Sequence, residues 1–210
     1  MAILTKEQIL ERVKVGEISF APRLDKFQLQ SASIDLRLGF TFLVPKLWQI
    51  TKAGREALNL NYYQAERPQH FEIIELEQGQ YFEILPQEYV LVSTLETMKL
   101  PGDLIGMLFP RSSVNRKGLS VDLSGIINPG YEGQLVIPLT NNTKGQTIRL
   151  YPGERFCQVV FSELAAKTAT EPGKYHKKDI IAGVADGGSP EEDSLIQKGE
   201  IGKLKKDHPA

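Results

Sequence analysis

The sequence predicts a mainly β protein, a sandwich, barrel or jelly roll carrying a short N-terminal helix, and three observations predict it. Short runs rich in branched and aromatic residues recur from about residue 31 to residue 161, broken by Gly, Pro, Asn and Asp turns. With 41% hydrophobic and 24% charged residues, the 210-residue chain has the composition of a globular protein with a real core. No stretch approaches 18 consecutive apolar residues, so no membrane-spanning helix is expected.

Taken in order, the first element is a helix. Thr5 with Gln8 three residues on fits a capping box, Ile9, Leu10 and Val13 form one apolar face, and Gly16 ends the run. Residues 71–76 and 81–85 flank the turn Glu77-Gln78-Gly79-Gln80 and read as a hairpin. Strands follow at 89–94, 134–140, 146–150 and 156–161. Residues 46–60 interrupt the pattern, and 53–58 read as one or two helical turns within an insertion. After about Glu171 the chain turns polar and Gly/Pro-rich, through Gly187-Gly188-Ser189-Pro190 to a basic end. Such a tail is either disordered or ordered against a neighbour.

The formal net charge is −1, which gives no field for non-specific attraction to a nucleic acid polymer or an acidic membrane. A small anion is a different matter, since local arginines hold phosphate on a neutral protein. Cys157 is the one cysteine, so an intrachain disulfide and a zinc deaminase site with two thiolates are both excluded. His70, His176 and His208 are scattered, and no metal is assigned to protein ligands. The N-terminus lacks a basic segment followed by an apolar run, and the chain reads as cytoplasmic.

Chemistry concentrates in residues 109–133, FPRSSVNRKGLSVDLSGIINPGYEG. Arg111, Ser112, Ser113 and Arg116 bring two guanidinium groups and two hydroxyls within six residues. Arginine forks match phosphate oxygens in pairs, and hydroxyls and backbone N–H groups supply further donors. Asn128-Pro129-Gly130-Tyr131-Glu132-Gly133 then presents an aromatic ring between glycines in a turn. On composition alone, a solvated turn and a packing tyrosine explain the same residues.

The ordered set resembles the dCTP deaminase/dUTPase superfamily. Ala32-Ser33-Ile34-Asp35-Leu36-Arg37-Leu38-Gly39 is similar to its first motif. Ser93-Thr94-Leu95-Glu96 with Leu100-Pro101-Gly102-Asp103-Leu104 resembles the lead-in of the deaminase branch. Pro110-Arg111-Ser112-Ser113 resembles the second motif, Gly125-Ile126-Ile127-Asn128-Pro129-Gly130-Tyr131-Glu132-Gly133 the third, and Pro152-Gly153-Glu154-Arg155-Phe156-Cys157-Gln158 the fourth. The resemblance implies a distorted jelly-roll or β-barrel of the dUTPase-like kind, assembled as a homotrimer with sites between subunits. It implies a nucleotide-binding β domain over residues 1–165 and a polar tail over 166–210, flexible or packed on a neighbouring subunit. Arg111, Ser112, Ser113 and Arg116 would grip the triphosphate of dCTP or dUTP, with Gln158 assisting and Mg2+ bridging phosphate oxygens. Tyr131 would lie against the deoxyribose, and backbone groups near Ile126, Ile127 and Asn128 would read the pyrimidine edge. Asp35 resembles a position near the metal and triphosphate.

The pattern departs at the acids. Asn128 stands where the third motif carries an aspartate that activates water, and Pro138 stands where the deaminases carry a proton-shuttling glutamate. Neither side chain takes up a proton, and a missing general acid or base costs roughly 10²–10⁴-fold in rate. Pro138 also lacks a ladder donor, which places it at an edge, a bulge or a cavity wall. Asp122 is the candidate substitute, while Glu132 reads as exposed. The lids depart as well: Tyr175, His176, Lys177 and Lys178 partly match the deaminase closing segment, and residues 183–189 are Gly-rich without the phenylalanine of the dUTPases. Two readings follow. One is an enzyme on deoxypyrimidine triphosphates, with Asp122 or a tail residue as base; the other is a catalytically silent homologue acting as nucleotide sensor, regulatory subunit or partner of an active homologue.

Overall fold

The computed structural model describes residues 2–58, 70–122, 125–169, 180–181 and 190–209. Helix α1 (Lys6–Lys14) begins as expected: the Thr5 side chain accepts from the Gln8 N–H, and the Gln8 side chain accepts from the Thr5 N–H. Gly16, at φ 80°, follows the helix in the left-handed conformation that glycine adopts without a Cβ clash. Ile9 is fully buried against the sheet, while Leu10 is exposed.

Thirteen strands follow among the described residues. They are β1 (Ser19–Ala21), β2 (Ile34–Pro45), β3 (Trp48–Thr51), β4 (Gly54–Ala57), β5 (Phe71–Glu75), β6 (Phe82–Ile84) and β7 (Tyr89–Lys99). After them come β8 (Leu104–Pro110), β9 (Leu119–Val121), β10 (Ile126–Ile127), β11 (Glu132–Asn141), β12 (Ile148–Leu150) and β13 (Arg155–Glu163). The main sheet runs β10-β8-β13-β2-β7-β11-β9, with β1 added to β7 and β5 to β2. Strand β2 is its spine. The first residues of β2 pair with β13, and the remainder, beyond an irregularity after Leu38, pairs with β7 and β5. That change of partner along one strand curls the sheet around a core that includes Phe42, Leu38, Val92, Ile137, Leu139, Val159 and Phe161. Phe42 stacks on Phe82 at 4.7 Å between ring centroids.

Two expectations need correction, and a third is refined. Residues 71–76 and 81–85 are strands around a turn, but they do not form a hairpin: β5 pairs with β2, and β6 pairs with β12. Residues 53–58 are not helical. They belong to the exposed β3–β4 hairpin, where Gly54 sits at φ 114° and the Arg55 guanidinium covers the Trp48 ring at 4.6 Å. Pro138 pairs with β7 on one side and sits where the β9 ladder ends on the other, the edge position a proline without an N–H suits.

Toward the C-terminus, Ile180 is buried with Leu43 and Phe71, and Ile181 packs beside Leu91 and Val136. Helices α3 (Pro190–Gln197) and α4 (Ile201–Asp207) follow. Helix α2 (Ser112–Asn115) is a single turn between β8 and β9.

Candidate functional site

The sheet register delivers one group of site residues to a single place. Asp35 on β2 lies opposite Gln158 on β13, and Gln158 in turn lies opposite Phe109 on β8, two residues before Arg111. The Asp35 carboxylate is 2% exposed and is surrounded by donors. Its Oδ2 pairs with Arg111 Nε at 3.1 Å and accepts from Arg155 Nη1 at 3.2 Å and Gln30 Nε2 at 3.3 Å. Arg111 Nη1 also donates to the Arg155 carbonyl at 3.0 Å, so its fork is fixed from two sides. Gln158 Oε1 accepts from Ser33 Oγ at 3.2 Å. Burial pushes the Asp35 carboxyl above the ordinary aspartate value, against the opposing pull of Arg111, Arg155 and Arg37.

A second buried acid stiffens this region from behind. Glu96, also 2% exposed, accepts from Gln28 Nε2 at 2.7 Å and from the Arg37 backbone N–H at 3.0 Å. Gln28 Nε2 also donates to the Asp35 carbonyl at 2.9 Å. Arg37 Nε and Nη2 hold Asp25, and its Nη1 donates to the Gly153 carbonyl at 2.5 Å. Arg155 Nη1 donates to the Phe27 carbonyl as well. The result is a cross-linked frame around the Arg111 fork. Ser112 and Ser113, beside that fork, are exposed, as is Arg116. Their side chains make no hydrogen bond among the described residues, so these donors are available to an anion.

Arg111, with Arg37 and Arg155 of the frame, also lines a cleft of about 530 Å³. Val114, Leu139 and Phe156 supply apolar lining, and Ser113 and Lys117 further polar groups.

The turn carrying Asn128 and Tyr131 lies elsewhere on the chain. Ile127 pairs with Gly106, five residues before Arg111, which is about 16 Å along a strand. The turn is fastened to the loop after β7: Gly130 N–H donates to Pro101 O at 3.2 Å, and Leu100 N–H donates to Tyr131 O at 2.9 Å. Tyr131 is half-buried, its hydroxyl donates to Gln134 O at 2.6 Å, and burial raises its phenol pKa to about 12. Asn128 is exposed. One chain therefore brings Arg111, Ser113 and Gln158 together with Asp35, and places Asn128 and Tyr131 at the opposite end of β8.

Asp122 and Pro138 form a third locality. Val121 pairs with Leu139, so Asp122 falls opposite Pro138, and the Asp122 N–H donates to Pro138 O at 2.9 Å. Proline has no N–H to return that bond, and the β9–β11 ladder stops there. The Asp122 carboxylate accepts from Thr140 Oγ1 at 3.1 Å. Cys157, expected as a core residue, is fully buried, and burial raises its thiol well above the ordinary value.

Residues 175–178 and 183–189, the candidate closing segments, lie outside the described residues. No cluster of three or more His, Cys, Asp or Glu among the described residues is arranged to hold a metal ion. Asp35, the buried acid nearest the Arg111 fork, is already engaged by two guanidinium groups. No helix among the described residues is long and apolar enough to cross a membrane. Sequence reasoning left Arg155 and Glu96 without a role, although both stand inside quoted motifs; nothing local signals that Arg155 meets Asp35 across 120 residues.

The curled sheet and the arginine frame at its β2–β13–β8 junction define a β-barrel of the dUTPase-like kind. The chain belongs to the dCTP deaminase-like family, whose model matches residues 3–164. It is 37% identical over 179 residues to a "dCTP deaminase, dUMP-forming" of Dictyoglomus thermophilum, covering 84% of this chain and 86% of that one. A protein of the same name from Methanobrevibacter smithii is 33% identical, over 78% of this chain and 81% of its own length. Among solved structures, the 2'-deoxycytidine 5'-triphosphate deaminase from Agrobacterium tumefaciens superposes with a TM-score of 0.59 at 22% identity, over 76% of this chain and 48% of that one. That likeness is one of fold.

Proposed function

We propose that this chain binds a deoxypyrimidine nucleoside triphosphate, dCTP or dUTP, in a site completed by a second copy within a homotrimer. The observation that carries the reading is the Arg111 fork, held by Asp35 and the Arg155 carbonyl beside the exposed hydroxyls of Ser112 and Ser113. A fork fixed before the ligand arrives loses little freedom on binding, and its partners leave Nη2 for phosphate oxygens. Arg116 and Gln158 add donors. Mg2+ would be carried on the phosphates, because the protein groups here supply no carboxylate cluster of their own; bound, it would neutralise phosphate charge.

The separation of about 16 Å between Arg111 and the Ile127–Asn128 segment supports completion by a neighbour. So does the outer face of β8, β10 and β13. Phe109 and Ile126 are 45% and 62% exposed there, beside half-buried Ile105, Met107 and Val160. A contiguous apolar face of this kind is characteristic of an interface. Tyr131 and the backbone near Ile126, Ile127 and Asn128 of the neighbour would then meet the sugar and base. The family and the names of its relatives support a role in nucleotide metabolism. The domain of residues 1–165 would carry the site, and the tail of 166–210 would complete or cover it.

Asn128 and Pro138 favour a second reading, a silent homologue that senses the nucleotide or regulates a partner. Thermal-shift titration with dCTP, dUTP, dTTP and UTP plus magnesium tests the binding claim. A ligand at 100 times its Kd adds about 2.7 kcal/mol to the native state. Arg111→Ala should weaken binding about 10- to 100-fold while the assembly stays folded. Unchanged affinity in that variant, or no shift with any nucleotide, would overturn the assignment.

A further inference from the structure

The loop between β1 and β2 supplies much of what surrounds the Arg111 fork, although little of it is buried. Asp25 Oδ2 accepts from Arg37 Nη2 at 2.7 Å, the Phe27 carbonyl accepts from Arg155 Nη1, and Gln30 Nε2 donates to Asp35 Oδ2 at 3.3 Å. The Gln28 carbonyl accepts from the Asp35 N–H at 2.8 Å. Asp35, Arg37 and Arg155 are therefore all oriented from residues 25–30. Yet Lys26 and Phe27 are exposed, and Gln28 is the one buried side chain of that stretch.

The Gln28 amide is fully engaged. Its Oε1 accepts from the Asp25 N–H at 3.2 Å, and its Nε2 donates to the Asp35 carbonyl at 2.9 Å and to Glu96 Oε1 at 2.7 Å. Glu96, on β7 and equally buried, uses its second oxygen for the Arg37 N–H at 3.0 Å. That N–H falls just before the β2–β7 ladder begins at Leu38 and Thr94, so the carboxylate stands in for a backbone carbonyl. One carboxylate thus fixes the segment from Asp35 to Arg37 at both ends, through Gln28 at the Asp35 carbonyl and directly at the Arg37 N–H. The Asp35 side chain on this segment holds Arg111 Nε at 3.1 Å. Groups that meet a ligand keep their aim only when the groups behind them are locked.

Resting on the nucleotide reading above, we propose that Gln28 and Glu96 are a positioning pair for the anion grip. They set the direction of the Arg111 fork through Asp35, and so govern affinity for the triphosphate without touching it. A carboxylate suits position 96 because both its oxygens accept, and both groups facing them, Gln28 Nε2 and the Arg37 N–H, donate. Glutamine there would turn an NH2 against one of these donors. Leucine at position 28 would leave Glu96 Oε1 and the Asp35 carbonyl without the donor they share. In either case Asp35 gains freedom, and the ligand must order the fork as it binds.

The test uses the full-length chain, with dCTP and inorganic tripolyphosphate as probes in calorimetric titrations with magnesium. Glu96→Gln and Gln28→Leu should each weaken dCTP binding about 10-fold. Tripolyphosphate should lose the same factor, because the fork meets only phosphates. In an Arg111→Ala background the effect of Glu96→Gln should shrink below about twofold, since the pair acts through that fork. Glu96→Gln, which keeps the volume of the side chain, carries the test if Gln28→Leu does not fold. A variant that unfolds at lower urea yet binds both probes like the wild type would overturn the proposal, as would an undiminished loss in the Arg111→Ala background. Tripolyphosphate binding that Glu96→Gln weakens, with no dCTP binding by the wild type, would overturn the nucleotide reading and leave the positioning pair standing.

Discussion

At the Pro110 end of β8, side chains hold one another. Asp35 alone engages Arg111, Arg155 and Gln30, and Glu96 ties Gln28 and the Arg37 backbone beneath it. At the other end, around Ile127, Asn128 and Tyr131, the turn hangs on backbone bonds to residues 100 and 101, with the Tyr131 hydroxyl as its own internal brace. The first region is ordered on folding, so a ligand reaching Arg111 would not have to order it. The second is less constrained by side chains. The contrast explains how the chain tolerates Asn128 and Pro138. Neither residue touches the frame that holds Arg111.

The most damaging test of the contrast is Asp35→Asn. Removing the charge leaves Arg111 and Arg155 facing each other without a counter-ion, and should cost about 2–3 kcal/mol in urea unfolding as well as loosening the grip on phosphate. A stability unchanged within about 0.5 kcal/mol would show that the frame is not what holds this junction together.

A middle-sized effect concerns the anchor of the second region. Arg12 of α1 pairs with Asp103 at 2.8 Å and Glu163 at 3.0 Å, next to the loop that receives Gly130 and Tyr131. The hydrogen bond from Arg12 holds the Asp103 carboxyl below its ordinary value, with the guanidinium charge adding to it. The folded-state pKa is thus lower than the unfolded one. The stabilisation is complete above the ordinary aspartate pKa and is lost as pH falls through the depressed folded value. Melting temperatures measured from pH 6 down to pH 3 should drop less steeply for Arg12→Ala than for the wild type. Parallel curves would remove Arg12 as the anchor. Glu96, raised by burial, acts in the opposite sense and favours the folded state more at low pH.

The smallest effect is Tyr131→Phe, which deletes one hydrogen bond to Gln134 O and should cost about 1 kcal/mol in urea unfolding. A loss of several kcal/mol would mean that the turn is as tightly determined as the arginine frame.

Much of this was legible in the residues. The Thr5–Gln8 box marked α1, and the alternation of Leu135, Ile137 and Leu139 marked the buried face of β11, because both signals are local periodicities set by backbone geometry. Arg111, Ser112 and Ser113 stood out as donors in the sequence, but their chemistry alone fitted a solvated turn as well, and only the register shows Gln158 opposite Asp35. The hairpin expected at residues 71–85 failed for a different reason. Two alternating runs around a turn satisfy the hairpin rule locally, yet Ile74 prefers Phe42, and Ile84 prefers Ile148, which lies 64 residues further on. Residues 53–58 misled likewise, since Arg55, Glu56 and Ala57 suit a helix until Trp48 offers a ring to cover.

By itself, then, the sequence determined the class of fold, the start of the helix, the faces of the long strands and the chemistry of the Arg-Ser-Ser loop. Those properties follow from side-chain period, capping and donor type, which act over a few residues. The tertiary structure alone decided strand partners, the meeting of Arg111 and Arg155 on one buried aspartate, and the pairing of Asp122 with Pro138. Each of these depends on which distant segment the curled sheet brings alongside, and chain closure over tens of residues leaves no mark in the local pattern.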